Sequence, residues 1–367
     1  MITHLPRLLA LAVVLLGATA AISAQQNPHG RLPVTSFAEP YLFLIRDPVV
    51  HEELELTEQQ RQELGELNDQ LDVQLWSMRN NSAQHIETTI QQATATAQTR
   101  LSSILQDDQQ RRLSQIVLRT LGTKAFLHDE LPEKLELSEK QRQEIRKTVT
   151  ETQEAVDELI KQRQAEDSDK SLDKKYRTLK TDEQRQILAT LTSSQRDEWV
   201  SLLGEQIDVS KLGGVKFKVP ELHGSQSGWI NSQPLTMQQL KGKVVALHFY
   251  AFNCINCKRN LPWYKGWHES FADQGLVVIG VHTPETSAEH DVESVHRNAR
   301  DSGLKFPILI DNDKQNWGAW GNSIWPSVYL IDKQGYVRYW WYGELNWQGA
   351  EGEQLLRKRI EELLSEE

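Results

Sequence analysis

The chain has 367 residues, of which 38% are hydrophobic and 25% are charged, the composition of a soluble globular protein with about two domains. Its formal net charge is −10, and without a basic surplus it is not expected to bind nucleic acid or an anionic membrane surface. Its only cysteines are Cys254 and Cys257, which excludes a disulfide-framework fold, a four-cysteine zinc site and a cysteine-held iron–sulfur cluster.

Residues 1–24 have the features of a secretory signal. Arg7 precedes an apolar run from Leu8 to Ala21, and Ile22-Ser23-Ala24 supplies the small residues that a signal peptidase requires. The run is short for a hydrocarbon core of about 30 Å. We therefore expect an exported protein in the periplasm or another extracytoplasmic compartment, anchored in the membrane if the signal stays uncleaved.

Residues 25–207 are predicted to form an all-α helical domain with an internal duplication. Four segments each begin with leucine and end with glutamine: Leu56–Gln60, Leu105–Gln109, Leu137–Gln141 and Leu191–Gln195. In three of them, Thr or Ser lies three residues before the glutamine, which is the spacing of a capping box. We expect long antiparallel helices, interrupted near Asn80-Asn81 and Gly122, and a polar crossover over residues 165–173.

The composition changes near residue 210. Of the 11 tryptophans, only Trp76 and Trp199 precede it, and strand-forming apolar runs dominate the rest of the chain. Residues 208–217, with a pair of glycines, are the predicted linker, and residues 218–367 are the predicted second domain.

Strands and helices alternate in the predicted second domain, which indicates βαβ units followed by a β-hairpin and a helix. The predicted strands cover residues 244–250, 276–282, 307–311, 327–332 and 337–342. Three helices are predicted. The first follows Cys257 and has a kink at Pro262, and the other two cover residues 288–302 and 351–364.

Cys254 and Cys257 lie where a predicted buried strand gives way to a helix. The free N–H groups and the dipole of a helix N-terminus stabilise a thiolate there, and two intervening residues bring the second sulfur within bonding distance. Cys254 is therefore the predicted nucleophile toward a substrate disulfide, and Cys257 the predicted resolving thiol. Two alternatives stay open: a structural disulfide, although so small a loop stabilises little, and a metal site, although two cysteines do not complete a tetrahedral shell.

Several short sequence blocks of the second domain match, in the same order, the sequence pattern of one protein family. They are Trp229-Ile230-Asn231, Pro234-Leu235-Thr236, Leu240–Val245, Phe252–Cys257, Gly275–Glu285, Asp311-Asn312-Asp313 and Trp325-Pro326. With these blocks the domain resembles the TlpA/ResA-like redoxins of the thioredoxin superfamily, and its Cys-Ile-Asn-Cys is similar to that of DipZ-type periplasmic domains and NHL-repeat proteins. The resemblance implies a thioredoxin-like α/β fold, a central mixed sheet flanked by helices, and thiol–disulfide exchange with proteins. It also implies that Pro326 is a cis proline that faces the cysteine pair.

Four further residues are candidates for the site. His248 stands six residues before Cys254, where thioredoxin has a buried acid. The resemblance implies that His248 accepts the proton of the resolving thiol, since imidazole titrates near pH 6.5, and a neutral, hydrogen-bonded core histidine is the alternative. Trp325 and Asn256 are candidate substrate-binding residues, and a packed tryptophan is the alternative for Trp325. Glu285, in the loop after a strand, is a candidate acid near the disulfide.

The Leu-Thr-x-x-Gln segments of the first domain resemble the repeats of Spy/CpxP-like helical proteins, which act as chaperones or stress sensors. Because any well-capped helix shows such a motif, the alternative is a bundle that spaces, dimerises or docks the second domain.

The sequence as a whole predicts an exported thiol–disulfide oxidoreductase. Reductase is favoured over oxidase, because Ile255-Asn256 between the cysteines carries no charge. The expected partners are protein thiols and disulfides and a membrane or periplasmic electron donor or acceptor. We expect no metal and no cofactor beyond the Cys254–Cys257 disulfide. A chaperone-like protein-binding module with an accessory redoxin domain and a thiol peroxidase are the alternatives.

Overall fold

A computed structural model describes residues 40–128, 130–165, 170–213 and 216–366. The predicted signal over residues 1–24 lies outside these ranges. Within them, no helix combines the length and the apolar character that crossing a membrane requires.

The first part of the described chain is helical, as predicted. Its α-helices are α1 (Tyr41–Leu44), α2 (Pro48–Glu53), α3 (Glu58–Ser77), α4 (Ala83–Ile104), α5 (Asp107–Leu121), α6 (Glu130–Lys134), α7 (Glu139–Ala165), α8 (Lys170–Thr190) and α9 (Ser193–Leu203). Short 3₁₀ turns over Met78–Asn80 and Gly122–Leu127 lie where interruptions were predicted. The predicted crossover over residues 165–173 is wrong at both ends, since residue 165 belongs to α7 and residues 170–173 belong to α8, where Leu172 is buried. Residues 166–169 lie outside the described ranges.

The four repeated segments form capped helix N-termini, and their glutamines meet in two pairs. Each glutamine accepts the backbone N–H three residues before it, which caps its own helix. Gln60 Nε2 also donates to Gln109 Oε1 at 2.8 Å, and Gln141 Nε2 donates to Gln195 Oε1 at the same distance. Each half of the duplication therefore contains the same glutamine contact, which joins the N-termini of two of its helices.

The second part of the chain is a seven-stranded mixed sheet flanked by helices, with strand order β1-β7-β6-β3-β4-β5-β2, which confirms the predicted fold. The strands are β1 (Phe217–Lys218), β2 (Trp229–Ile230), β3 (Val244–Tyr250), β4 (Leu276–His282), β5 (Ile308–Ile310), β6 (Ser327–Ile331) and β7 (Tyr336–Tyr342). The helices are α10 (Ile255–Phe271), α11 (Val292–Asp301), α12 (Gln315–Ala319) and α13 (Gly352–Ser365). Sequence patterns missed β1, β2 and α12, because two or five residues are too few to show a period.

Strand β3 is buried on both faces, as its unbroken apolar run predicts. It pairs parallel with β4 and antiparallel with β6. On one face, Ala246 packs in a cluster with side chains of α10 and α13. On the other face, Leu247 and Phe249 pack in a cluster that contains Trp320 and also Trp76 of α3. A side chain of the helical part thus belongs to the core of the sheet domain.

Buried acids of the helical part hold the segment that leads into the sheet. Asp47 accepts the N–H of Gly213 at 2.6 Å, and Asp72 accepts the N–H of Lys218 at 2.7 Å. Strand β1 already pairs antiparallel with β7, so the predicted linker, residues 208–217, ends inside a strand. The connection between the two parts is therefore fixed by hydrogen bonds at its end.

Replacing Gln60 by Ala should lower the free energy of unfolding by about 2 kcal/mol, because the side chain caps α3 and bonds Gln109 across the helix pair. Gln62→Ala is the matched control, since the exposed Gln62 bonds Glu66 on the same helix, and it should cost less than about 0.5 kcal/mol. Urea denaturation of the full chain, followed by circular dichroism, measures both. Equal losses would contradict the role given to the glutamine pairs.

Candidate functional site

Cys254 lies in the turn between β3 and α10 and is the N-cap residue of α10. Its Sγ accepts a hydrogen bond from the backbone N–H of Cys257 at 3.3 Å, so the sulfur occupies the place that a side-chain oxygen has in other helix caps. Cys254 is half-buried, Cys257 is 1% exposed, and both are free thiols. One sulfur is thus open to a substrate, and the other is enclosed by the protein.

The surroundings separate the acidities of the two thiols. The hydrogen bond from the Cys257 side chain, with backbone N–H groups of Cys257 and Asn256, lowers the pKa of Cys254 to about 7, against the opposing effects of burial and of the Glu285 charge. Burial is the main cause that raises the pKa of Cys257, and its hydrogen bond with Cys254 adds to the effect. Near neutral pH, Cys254 is therefore the more nucleophilic sulfur and Cys257 stays a thiol.

A buried carboxylate, Glu289, joins the loop after β4 to the turn that carries the cysteines. It accepts the N–H groups of Asn253 at 2.7 Å, Glu285 at 2.9 Å and Thr286 at 2.7 Å. Burial raises the pKa of Glu289, but these hydrogen bonds outweigh it and lower the pKa overall. Sequence reasoning missed Glu289, although Thr286 and Glu289 have the capping-box spacing that could have identified it.

Glu285, the predicted acid, is exposed, and its backbone N–H bonds the same Glu289 carboxylate that holds Asn253, the residue before Cys254. The charge of Glu285 raises the pKa of both Cys254 and Cys257. An ionised carboxylate there opposes the formation of a thiolate.

The Trp325–Pro326 peptide bond is cis, as predicted. Strand β6 begins directly after it and pairs with the end of β3, so Pro326 lies at the same edge of the sheet as the cysteine turn. Trp325 Nε1 donates to the carbonyl of Thr283 at 3.1 Å, and its ring stacks on Trp317 with centroids 3.9 Å apart. The half-buried Trp325 is therefore held in place, and it packs against the same hydrophobic cluster as Cys254.

His248 does not match the proton-accepting role predicted for it. Its ring is fully buried, stacks on Tyr264 with centroids 4.0 Å apart and lies 5.2 Å from Tyr250. Neither ring nitrogen has a hydrogen-bond partner among the described residues, and burial lowers the pKa of His248 to about 3. Such a ring is a weak base at neutral pH, so the structure favours the neutral core histidine, although without the hydrogen bonds expected for it.

Two tyrosines lie near the resolving thiol instead, and sequence reasoning missed both. Tyr250 and Tyr264 belong to the same buried cluster as Cys257. Burial raises the pKa of both tyrosines, and the charge of Cys257 is a further cause for each. They make the surroundings of Cys257 aromatic and weakly polar.

The two residues between the cysteines face solvent. Asn256 is exposed and Ile255 is 58% exposed, and both directly follow Cys254 in the chain. Over the part of the chain that the structure describes, no group of three or more His, Cys, Asp or Glu side chains is arranged to hold a metal ion.

Comparisons with known proteins give a family match that lies in the sheet domain. Residues 215–340 match the AhpC/TSA family. Over 149 residues, or 40% of this chain, the sequence is 30% identical to the thiol-disulfide oxidoreductase YkuV of Bacillus subtilis and covers 95% of that protein. Over 128 residues, or 34% of this chain, it is 42% identical to the protein DipZ of Mycobacterium tuberculosis but spans 18% of that protein. The solution structure of a thioredoxin-like protein in the oxidized form, 29% identical, matches over 40% of this chain and 95% of that one with a TM-score of 0.35.

The rate at which iodoacetamide alkylates Cys254 should rise with pH around a midpoint near 7, because the thiolate is the reactive form. Cys257 should stay unmodified in the folded chain over the same range, since its sulfur is buried and its pKa is raised. Mass spectrometry of the quenched and digested protein separates the two sites. A midpoint near the ordinary thiol value of about 8.5 would contradict the lowered pKa of Cys254.

Glu285→Gln should lower the pKa of Cys254, by less than about one pH unit because the carboxylate is exposed to solvent, since it removes a negative charge that opposes the thiolate. The same alkylation profile measures the change. Asp273→Asn is the matched control, because this exposed residue lies beyond the far end of α10 and should leave the profile in place. A profile unmoved by Glu285→Gln would remove Glu285 from the site.

Proposed function

Because the chain belongs, through its sheet domain, to the thioredoxin-like thiol-disulfide oxidoreductases of the AhpC/TSA family, we propose that it is an exported reductase of protein disulfides. The observation that carries the proposal is the division between the two sulfurs. Cys254 caps α10 with a lowered pKa and is open to a substrate, whereas Cys257 is buried with a raised pKa. These are the properties that an attacking and a resolving cysteine need.

The reaction has two exchange steps. The Cys254 thiolate attacks one sulfur of a substrate disulfide, forms a mixed disulfide and releases the other substrate sulfur as a thiolate. Cys257 then loses its proton and attacks the Cys254 sulfur, which releases the second substrate thiolate and leaves the Cys254–Cys257 disulfide. Two electrons pass from the cysteine pair to the substrate, and a separate dithiol donor has to reduce the pair again.

Cys257 needs a proton acceptor in the second step. His248 is a poor candidate at neutral pH, since burial holds its pKa at about 3. The substrate thiolate released in the first step is a base formed beside the pair, and an ordinary cysteine pKa of about 8.5 suits it to this transfer. We assign the proton of Cys257 to that leaving sulfur.

The reducing direction is supported by the modest stabilisation of the thiolate. The pKa of Cys254, about 7, is like the value of about 7 in thioredoxin, whereas the strong oxidant DsbA has a value of about 3.5. Neither residue between the cysteines carries a charge, and Glu285 adds a negative charge nearby. A thiolate that is stabilised less makes the reduced pair a better electron donor.

The substrate side of the site suits an extended polypeptide. Pro326 has no N–H, so the backbone of the preceding residue is left free to pair with an extended substrate. Trp325 and Asn256 are the proposed contacts for side chains that flank the substrate cysteine. The signal-like residues 1–24 support a periplasmic or other extracytoplasmic location, with a membrane or periplasmic donor of electrons.

The wild-type chain should reduce insulin with dithiothreitol as donor, at a rate well above that of dithiothreitol alone. Cys254→Ser should abolish this activity, because it removes the attacking sulfur. Cys257→Ser should accumulate a mixed disulfide with insulin through Cys254, because the resolving step is lost. Turbidity of the precipitating insulin chains measures turnover, and non-reducing mass spectrometry measures the trapped species.

Turnover that persists in Cys254→Ser would contradict the proposal. A wild-type chain that reduces hydrogen peroxide but not insulin would indicate the peroxidase alternative. A chain that is inert to both but prevents the aggregation of unfolded proteins would indicate the chaperone-like alternative.

A further inference from the structure

The end of helix α3 reaches the face of the sheet opposite α10. Trp76, in the last turn of α3, is 5% exposed, and its Nε1 donates to the carbonyl of Lys218 at 2.7 Å. Its ring lies against Trp320 and Tyr329, with centroids 5.8 and 5.7 Å away. The helical part therefore contacts β6, the strand that follows the cis proline.

Arg79, in the 3₁₀ turn that follows α3, makes the polar part of this contact. Its guanidinium lies 4.6 Å from the ring of Trp76. It donates to the carbonyl of Gly321 at 3.3 Å, to Tyr329 Oη at 3.2 Å, and also to Tyr342 Oη. One side chain of the helical part thus bonds three points of the sheet domain.

These three points surround the loop formed by residues 321–326, which ends in Trp325-Pro326. Gly321 is the first residue of the loop and Asn322 is the second. Tyr329 Oη donates to Asn322 Oδ1 at 2.7 Å. Tyr342 directly precedes Gly343, whose N–H donates to the carbonyl of Pro326 at 2.7 Å. Arg79 therefore bonds the start of the loop and the two strands that hold its end.

The approach between the helix end and the loop is close. Gly321 has a φ of +54°, and a Cβ atom at this position would lie 2.3 Å from the carbonyl oxygen of Trp76. Only glycine fits both the backbone conformation and the space. The position of the α3 end consequently determines where the loop can begin.

We propose that Arg79 is a positioning residue for the redox reaction: through Gly321, Tyr329 and Tyr342 it sets the loop of residues 321–326 so that Trp325-Pro326 can bind a polypeptide disulfide beside Cys254. The helical part thereby completes the substrate-binding side of the site. This inference rests on the proposed function, because it concerns polypeptide substrates of the same cysteine pair.

The test compares Arg79→Ala and Arg79→Lys with the control Arg111→Ala, which changes an exposed arginine of α5 in the same helical part. Lysine keeps a positive charge near Trp76, but it replaces the planar guanidinium, whose Nη2 makes all three bonds, by a compact ammonium group. Each full-length variant is assayed with insulin and with the small substrate bis(2-hydroxyethyl) disulfide, and the pH profile of Cys254 alkylation is recorded.

Arg79→Ala should raise the KM for insulin about tenfold, because the loop is displaced from its binding position. Two rates should stay within about twofold of the wild type: the kcat with insulin and the turnover of the small disulfide. The alkylation midpoint should stay near pH 7, since Cys254 and its cap are intact. Arg79→Lys should lie between Arg79→Ala and the wild type, and Arg111→Ala should match the wild type.

Two results would overturn the inference. One is an insulin KM for Arg79→Ala equal to that of Arg111→Ala. The other is a parallel loss of insulin and small-disulfide turnover, which would indicate a merely structural role.

If Arg79→Ala does not fold, Tyr342→Phe is the deciding variant, since it removes one acceptor of Arg79 and keeps the ring. An insulin KM raised several-fold supports the inference, and an unchanged KM overturns it. A wild-type chain that does not reduce insulin would overturn the proposed function first, and this inference with it.

Discussion

The hydrogen bond from the backbone N–H of Cys257 to the sulfur of Cys254 is the interaction on which the site depends. It requires a strand that ends and a helix that begins within a few residues, and the buried β3 and the first turn of α10 provide both. One helical turn then separates an open sulfur from an enclosed one. The same turn therefore produces the sulfur geometry and the difference in acidity between the two thiols.

The parts around this turn are fixed by contacts from distant segments. The Glu289 carboxylate accepts the N–H of Asn253, the residue before Cys254, and the carbonyl of Thr283 accepts the ring N–H of Trp325. On the helical side, Arg46 and Asp72 form a buried ion pair with N···O at 2.7 Å, and Asp72 also accepts the N–H of Lys218. Separating such a pair would leave a buried charge uncompensated, so the pair holds Asp72 in the position where it meets the N–H of Lys218. The helical part is accordingly a structural part of the domain that carries the cysteines.

Features with a local cause were predictable from the sequence. The bounds of β3 and β4, the helix after the cysteines and the glutamine caps follow from apolar runs and capping spacings that lie within a few residues. The cis Trp325–Pro326 bond followed from family resemblance, because a sequence pattern alone favours trans.

Features that depend on distant contacts were not predictable. The base role expected of His248 was inferred from its position before Cys254, but its acidity is set by burial against Tyr264, from another element. The contacts of Trp76 and Arg79 with the sheet join residues more than a hundred positions apart, as in the bond from Trp76 to Lys218, and no local pattern signals them. Short strands such as β1 exist because of their partner strand and not because of their own residues.

The reduction potential of the Cys254–Cys257 pair decides whether the pair can donate electrons to protein disulfides, as we propose. The full chain would be equilibrated with glutathione or dithiothreitol buffers, and the fraction of free Cys254 and Cys257 measured after acid quenching and alkylation. A reductase requires a potential at or below about −220 mV. A potential of about −120 mV, the value of a disulfide-forming oxidant, would show that the pair is not a reductase.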